Sequence, residues 1–280
     1  VKVNQSQYVF IEDSDISVAS DNAIDFVAVQ YGHLLKNRIH DTTGGWCAYT
    51  KGGSAYINVI ANEFDHCIEG GFTAGQGAGI EFLTAPWNQY EAYYIRVSNN
   101  VVHDIYGAAF GVNGGFEVTI SHNTAYRVGE RSHLVEFVYG GHECDGHLAE
   151  CAASRAAGAW APPAGAPSSV YTRIPNLNIS FVNNLIYNPP GYQSRWQHLE
   201  VSSNYESADQ ALSGAPNPAR ADEKLYIRGN VIWDGPVGHE LGIGTNTGCS
   251  PTQNATCNPT VVTTWNTINA SAPQLTNPAG

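Results

Sequence analysis

The chain has 280 residues with a formal net charge of −12, and 42% of its residues are hydrophobic. Its 13 Lys and Arg residues are too dispersed for a nucleic-acid partner, and no stretch approaches the roughly 20 apolar residues that span a bilayer. The 29 glycines and many asparagines instead indicate β structure with tight turns.

Methionine is absent, and the N-terminus lacks the basic and apolar segments of a signal peptide. We therefore expect a trimmed part of a longer, secreted chain that has lost its leader. The six cysteines form an even set, which predicts disulfides and an extracellular, oxidising compartment. The predicted pairs are Cys47–Cys67, Cys144–Cys151 and Cys249–Cys257.

One unit recurs along the chain: an apolar or β-branched strand, then Asn, a variable residue and an apolar residue. The copies lie at Ser14 (a variant), Asn37, Asn62, Asn100, Asn123, Asn184, Asn230 and Asn266. The shortest spacings, 23 to 25 residues, suit one coil of three strands. The pattern predicts an all-β fold, a single-stranded parallel β-helix of about eight rungs that forms one domain over residues 1–280.

The longer spacings place extra chain at one corner of the coil, after the third strand of a rung. These predicted loops cover residues 77–92, 140–176, 204–223 and 247–258. Random insertions would not select one corner, so we expect the loops to build a wall beside the third-strand face and a binding groove there.

Asparagine suits the repeated turn because it tolerates the left-handed conformation and its amide can bond to the Asn above and below. We therefore interpret these residues as a structural ladder. Alternating apolar residues, as in Leu225–Ile227 and Val261–Val262, predict strands with one side in a narrow core.

The ladder and the one-corner loops resemble the pectate-lyase-like superfamily of right-handed parallel β-helices. Segments 70–77 (GGFTAGQG), 111–115 (GVNGG) and 126–133 (YRVGERSH) resemble bacterial secreted β-helix repeat proteins of unassigned activity. The resemblance covers nearly the whole chain and implies a right-handed coil. Since the superfamily includes lyases, hydrolases, epimerases, esterases and non-catalytic spikes, it does not imply one activity.

Strand alternation predicts which third-strand residues point into the groove. Glu136, Glu200 and His198 form a predicted acid/base set that would cleave a polysaccharide, with Asn113 on the adjacent coil. The alternative is that these residues are simply solvated. Further candidates for substrate binding are Asp25, Gln76, Asn113, Glu81, Trp87 and Trp196. For the loop aromatics Trp87 and Trp196 the alternative is that they pin their loops to the coil.

The resemblance implies a second mechanism, because uronate lyases of this superfamily use a Lys or Arg base and often Ca²⁺. Lys51 and Arg131 lie near the predicted floor and are candidates for that base. No tight run of Asp residues marks a calcium site, so Ca²⁺ is an open expectation and no other cofactor or metal is predicted.

Two other patterns have structural and functional interpretations. A second outward column follows the ladder by three residues: His40, Asp65, His103, Tyr126, Tyr187 and Trp233. Such stacks are commonly structural, and a binding role is the alternative. The segment from His142 to Cys151 has metal-capable side chains, but it lacks a second Cys pair, so a disulfide-stapled loop is favoured over a zinc site.

Two functions from different classes remain open. The first is a secreted enzyme, a polysaccharide lyase or glycoside hydrolase that acts on a polysaccharide or cell-wall glycan. The second is a non-catalytic module that binds glycan or assembles into a fibre or surface layer. Since an uncapped solenoid end exposes apolar strands, we expect further chain, end-to-end self-association or another partner to cover at least one end.

Overall fold

The structure is a computed structural model that describes residues 1–144, 146–163, 165–166, 170–235 and 238–276. The chain coils through three long sheets, and nearly all strands pair in parallel with the strand one coil away. The fold is therefore a parallel β-helix, as the repeat predicted.

Each coil adds one segment to each sheet. Sheet 1 precedes the ladder Asn and contains β2 (Phe10–Glu12), β5 (Gln30–Leu35), β8 (Ser54–Ile60), β12 (Ala92–Tyr93), β13 (Arg96–Ser98), β16 (Gly115–Ser121), β21 (Leu177–Val182) and β24 (Glu223–Arg228). Sheet 2 follows it and contains β3 (Asp15–Ala19), β6 (Arg38–Thr42), β9 (Glu63–Asp65), β14 (Val101–Ile105), β17 (Thr124–Val128), β22 (Leu185–Asn188), β25 (Val231–Asp234) and β26 (Thr267–Ile268). Sheet 3 contains β1 (Lys2–Asn4), β4 (Ile24–Val27), β7 (Trp46–Lys51), β10 (Gly70–Gly75), β15 (Ala108–Asn113), β18 (Val135–Val138) and β23 (Leu199–Val201).

The asparagine ladder runs unbroken along the corner between sheets 1 and 2. The side-chain oxygen of Asn100 accepts from the backbone N–H and the amide group of Asn62, at 2.9 and 3.0 Å, and the same pattern repeats from Asn37 to Asn266. The prediction that the ladder Asn itself adopts the left-handed conformation was wrong. The left-handed residue is the one before the ladder position, such as Lys36 or Ala61, and the Asn supplies hydrogen bonds instead.

The core is a narrow column of inward side chains. Its largest members are fully buried phenylalanines contributed by all three sheets: Phe26, Phe64, Phe72, Phe110, Phe137 and Phe181. Phe72 and Phe110 are direct partners on neighbouring coils, and inward apolar side chains of the other strands continue this contact along the axis. The Cys47–Cys67 disulfide joins neighbouring coils, and the other two predicted disulfides are also formed.

The inserted loops leave the coil between sheet 3 and sheet 1, at the predicted corner. Three strands from these loops form a small separate sheet, the wall sheet: β11 (Gly77–Gly79), β19 (Gly140–Glu143) and β20 (Thr172–Ile174). The loops also contain a 3₁₀ turn (Ile80–Phe82) and the helices α1 (Leu148–Ala156) and α2 (Ala208–Leu212). Sheet 3 therefore has a raised wall along one edge.

The last coil closes one end of the core. Helix α3 (Pro259–Trp265) takes the place of a sheet 1 strand, and Val262 and the Cys249–Cys257 disulfide belong to the core. The strand predicted at Val261–Val262 was wrong, because Asn258 caps a helix there by accepting from the Val261 N–H at 3.1 Å. No helix in the described ranges is long and apolar enough to cross a membrane.

Candidate functional site

The floor of the candidate groove is the outward face of sheet 3. Strand pairing brings one residue from each coil into a single column: Lys2, Asp25, Tyr49, Thr73, Gly111, Glu136 and Glu200. Asp25, Glu136 and Glu200 therefore lie in one column of this face. Adjacent coils are about 4.8 Å apart, so Glu136 and Glu200 are direct neighbours.

Glu136 is held at the centre of a polar network. Its Oε1 accepts from Asn113 Nδ2 at 2.9 Å, and its Oε2 lies 3.0 Å from His133 Nε2. Asn113 in turn accepts from the Thr73 hydroxyl at 3.1 Å. Donors on both oxygens fix the carboxylate and stabilise its charge. Asn113, expected on the adjacent coil, therefore contacts Glu136 directly.

Gly111 makes this arrangement possible. It occupies the column between Thr73 and Glu136, and a Cβ built there would lie 2.8 Å from Thr73 Oγ1 and 3.0 Å from Asn113 Oδ1. A side chain at this position would displace the amide that contacts Glu136. The absence of a side chain thus allows Asn113 to bridge two coils.

Glu200 faces the groove, but His198 does not, which corrects the predicted orientation. His198 is 1% exposed, and its Nδ1 donates to the Glu240 carbonyl at 2.8 Å. It lies before β23, where the alternation of a strand does not apply, and residues of the last coil cover it. Burial lowers its pKa. Glu200 instead accepts from Gln197.

Lys51 and Gln76 lie at one end of the groove. Lys51 Nζ contacts Gln76 Oε1 at 3.4 Å and lies over the Tyr49 ring at 4.7 Å from its centroid. A cavity of about 190 Å³ opens here, and Lys51, Glu81 and Glu143 are among its lining residues. Because Lys51 is three coils from Glu136, the two are about 14 Å apart along the solenoid.

The opposite edge of sheet 3 carries Arg131 and Trp196. Arg131 is exposed on the turn before β18, and its charge acts on the half-buried Glu69. Burial raises the pKa of Glu69 despite this cation. Trp196 is 57% exposed, and its ring centroid lies 6.3 Å from that of His133. A free aromatic face thus borders the Glu136 network.

Trp87 lies outside the groove, so its predicted position was wrong. Its ring packs edge-on against Tyr56 and Tyr93, at centroid distances of 5.4 and 5.2 Å, which pins the loop to sheet 1. The other end of the groove is a cavity of about 320 Å³ lined by Glu200, Arg173 and other residues. Arg173, on β20, was not predicted.

Sequence reasoning also missed His133, although it ends the segment 126–133 that carried the resemblance. Its i,i+3 spacing to Glu136 was the available signal, since the pair lies at the start of one strand. The segment from His142 to Cys151 is a disulfide-stapled loop, as favoured, and its Asp145 lies outside the described residues.

The second outward column forms on sheet 2, with His40, Asp65 and His103 on successive coils. Charged neighbours surround it: Arg38 Nε lies 3.1 Å from Asp65 Oδ2, and His103 contacts Asp104 and Glu63 at 2.9 and 3.0 Å. A cavity of about 500 Å³ lies alongside. These ion pairs support a structural role.

Histidine–carboxylate pairs on sheet 2 predict a pH dependence of stability. Burial opposes protonation of His103, but Asp104 and Glu63 outweigh it and raise the pKa above 6.5. A raised folded-state pKa means that the stabilisation is complete below pH 6.5 and is lost as pH rises through the folded value. We expect His103→Gln to reduce the free energy of unfolding by about 1 kcal/mol or less at low pH and by less at high pH.

Urea unfolding of both proteins across this pH range measures the difference. The exposed His122 provides the control, because His122→Gln removes an imidazole that forms no ion pair with any of the residues that the structure describes. A His103→Gln difference that grows as pH rises would contradict this account.

Metal-capable groups of three side chains, within the described part of the chain, lie outside the groove. Glu63, Asp65 and His103 form one such group on sheet 2, and Arg38 already neutralises its carboxylates. The other combines Asp222 with the bonded Cys249 and Cys257. Among the described residues, neither metal-capable group lies in the groove, so neither supports the expectation of Ca²⁺ there.

Comparison with known proteins adds no family assignment: no family model, no curated protein and no solved structure matches the chain.

Proposed function

We propose that the chain is a secreted carbohydrate-active β-helix protein, similar to the pectate-lyase-like superfamily, that cleaves a polysaccharide in the groove on sheet 3. One observation carries the proposal: Glu136, held between Asn113 and His133, has Glu200 as its neighbour on the next coil. Glycoside hydrolases typically use a pair of carboxyl groups, one as the acid and the other as the base or nucleophile. This favours hydrolysis over a lyase reaction with Lys51 as the base.

The two carboxyl groups differ in their hydrogen bonds, which supports different roles for them in the proposed reaction. Glu136 receives donors on both oxygens, which hold its carboxyl group in place to act as the base or nucleophile. Glu200 receives one side-chain donor, Gln197, within the described residues, so its other oxygen is free to present a proton to a leaving oxygen. A glycan bound across both coils would place its bond between them.

Other features support a glycan as the substrate. The exposed ring of Trp196 offers a flat face for a sugar beside His133. The wall sheet encloses one side of a groove long enough for several sugar units. Three disulfides support an extracellular location.

A panel of neutral, amino-sugar and uronate polysaccharides tests the proposal through new reducing ends and through the absorbance of unsaturated products. We expect reducing ends without unsaturated products from at least one glycan. Unsaturated products would assign a lyase reaction and overturn the carboxylate mechanism. Failure of every glycan to react would remove the catalytic proposal.

A second candidate, a non-catalytic assembly module, rests on the first coil. Tyr8, Phe10 and Val18 are 65%, 56% and 79% exposed, and β1, β2 and β3 each lie at the open edge of a sheet. Such apolar edges favour association. Light scattering that shows self-association, lost in a Phe10→Ser and Val18→Ser double variant, together with no glycan turnover, would favour this candidate.

A further inference from the structure

Two ionisable side chains meet in a fully enclosed position between the coil and the wall sheet. Glu91 belongs to the coil, where its N–H donates to the Gly114 carbonyl at 2.8 Å. His142 belongs to β19 of the wall sheet. Both residues are 0% exposed, and Glu91 Oε1 lies 3.3 Å from His142 Nε2.

The surrounding hydrogen bonds fix where protons sit. His142 Nδ1 lies 2.6 Å from the Trp160 carbonyl oxygen, which can only accept, so Nδ1 carries a hydrogen. Glu91 Oε2 accepts from the Gly52 N–H at 2.8 Å. Within the described residues, Glu91 Oε1 and His142 Nε2 make no hydrogen bond although the two atoms lie 3.3 Å apart, and the Ala78 N–H also acts on the Glu91 carboxyl group. Without a proton between them, two acceptors would face each other in a buried site.

Burial places that proton on the carboxyl group. It raises the pKa of Glu91 to about 7, against the Gly52 N–H and the charge of Lys51, and lowers the pKa of His142 to about 4. The other titratable groups acting on Glu91 are Tyr49 of β7, Tyr93 of β12 and Glu143 of β19. Lys51 favours ionisation of Glu91, and Glu143 opposes it.

Close packing makes the pair a contact between two parts of the fold. A Cβ built at Gly140, the first residue of β19, would lie 2.7 Å from Glu91 Cγ, and one at Gly114 would lie 3.1 Å away. Glycine at both positions lets the wall strand approach the coil over the carboxyl side chain. Movement of β19 away from the coil would therefore expose both ionisable groups.

We infer that a single proton shared by Glu91 and His142 locks the wall sheet onto the coil. While the wall is docked, Glu91 holds the proton and donates it to His142 Nε2. When the wall opens into solvent, the carboxyl group releases a proton and the imidazole takes one up. The number of bound protons is then unchanged, whether or not the groove cleaves a glycan.

The lock therefore has a distinctive pH response. In the open state the two groups return to their ordinary pKa values, 4.5 for Glu91 and 6.5 for His142. Between these values both states of the pair bind one proton, so wall opening is independent of pH. A lone buried Glu or a lone buried His would make opening depend on pH.

Two single variants separate the halves of the pair. Glu91→Gln keeps a donor to His142 Nε2 and an acceptor for Gly52, but opening now requires His142 to gain a proton. We expect opening to fall tenfold per pH unit between about 4 and 6.5. In His142→Gln, opening releases the Glu91 proton, so it should rise tenfold per pH unit between 4.5 and about 7.

Amide hydrogen exchange of the wall, corrected for its intrinsic pH dependence, measures the opening. The Gly141 N–H, which donates to the Gln76 carbonyl at 3.1 Å, is a suitable probe. The inference requires a flat profile for the unmodified protein and for the control variant Glu143→Gln, and opposite slopes for the two single variants. A tenfold slope in the unmodified protein, or flat profiles in both single variants, would overturn it.

A second measurement needs no variant. Nitrogen-15 shifts of the His142 ring should show a neutral imidazole protonated at Nδ1 between pH 4.5 and 6.5. An imidazolium in the docked protein would contradict the assignment of the proton to Glu91.

Discussion

Replacing Glu136 by glutamine is expected to lower the rate of glycan cleavage by about 10²- to 10⁴-fold, the range of a lost general acid or base. The amide has nearly the shape of the carboxyl group, but it cannot accept a proton or attack a sugar carbon. Its NH₂ group would also face Asn113 Nδ2 or His133 Nε2, so one of the two contacts would be lost. The turnover number on a glycan that the unmodified protein cleaves is the measurement.

Comparison variants make this result specific. Glu200→Gln should lose a similar factor, because both carboxyl groups are needed. Glu117→Gln removes a carboxylate from sheet 1, where Glu117 contacts Asn178, and should leave the rate unchanged. Thermal unfolding of each variant checks that the fold is kept. Full activity in the Glu136 and Glu200 variants would remove both residues from the mechanism.

The largest effect on stability is expected from a substitution in the ladder. Asn100→Ala removes the side-chain oxygen that accepts from the backbone N–H and the amide group of Asn62. It also removes the amide group that donates to the Val59 carbonyl and to Asn123 Oδ1, both at 2.9 Å. Each buried group left unpaired costs about 1 to 3 kcal/mol. We expect the free energy of unfolding to fall by about 4 kcal/mol.

Urea unfolding measures this loss. Asn58→Ala, at an exposed position of β8, is the matched control and should change the free energy by about 0.5 kcal/mol or less. Equal effects at the two positions would show that the ladder bonds contribute little to stability.

The ladder could be predicted from sequence because its residue type, its spacing and its neighbours repeat together. Once the register was set, strand pairing placed Glu136 beside Glu200 without further assumptions. The same rule misplaced His198, because alternation holds only inside a strand and this residue precedes β23. Its environment is set by the last coil, through the Glu240 carbonyl.

The sequence contains a local start signal for helix α3, but the repeat pattern led to the prediction of a strand there. Asn258 followed by Pro259 is a typical start of a helix, with a capping side chain and a first residue that needs no N–H partner. The apolar pair Val261–Val262 is compatible with a strand and with a buried helix face. The solenoid pattern favoured a strand there, and that prediction was wrong.

The Glu91–His142 pair could not be predicted from sequence. Glu91 lies where an inserted loop rejoins the coil, directly before β12, whereas His142 lies in another inserted loop, and no local motif links them. Their meeting depends on how β19 lies on the coil, which loop lengths and composition do not specify. Trp87 was misplaced for a related reason, since its loop turns toward sheet 1 and packs on Tyr56.

The coil between Asn100 and Asn123 contains no inserted loop, and its two ladder residues make the same bonds as every other pair. Such a unit is a self-contained module: its upper and lower surfaces match those of its neighbours. Duplicating it would lengthen the molecule by one strand spacing, about 4.8 Å, while the ladder and the core stayed continuous. The same duplication would separate β11 from β19 and Glu91 from His142, which meet across this coil, so the groove can lengthen here only if the wall is rebuilt with it.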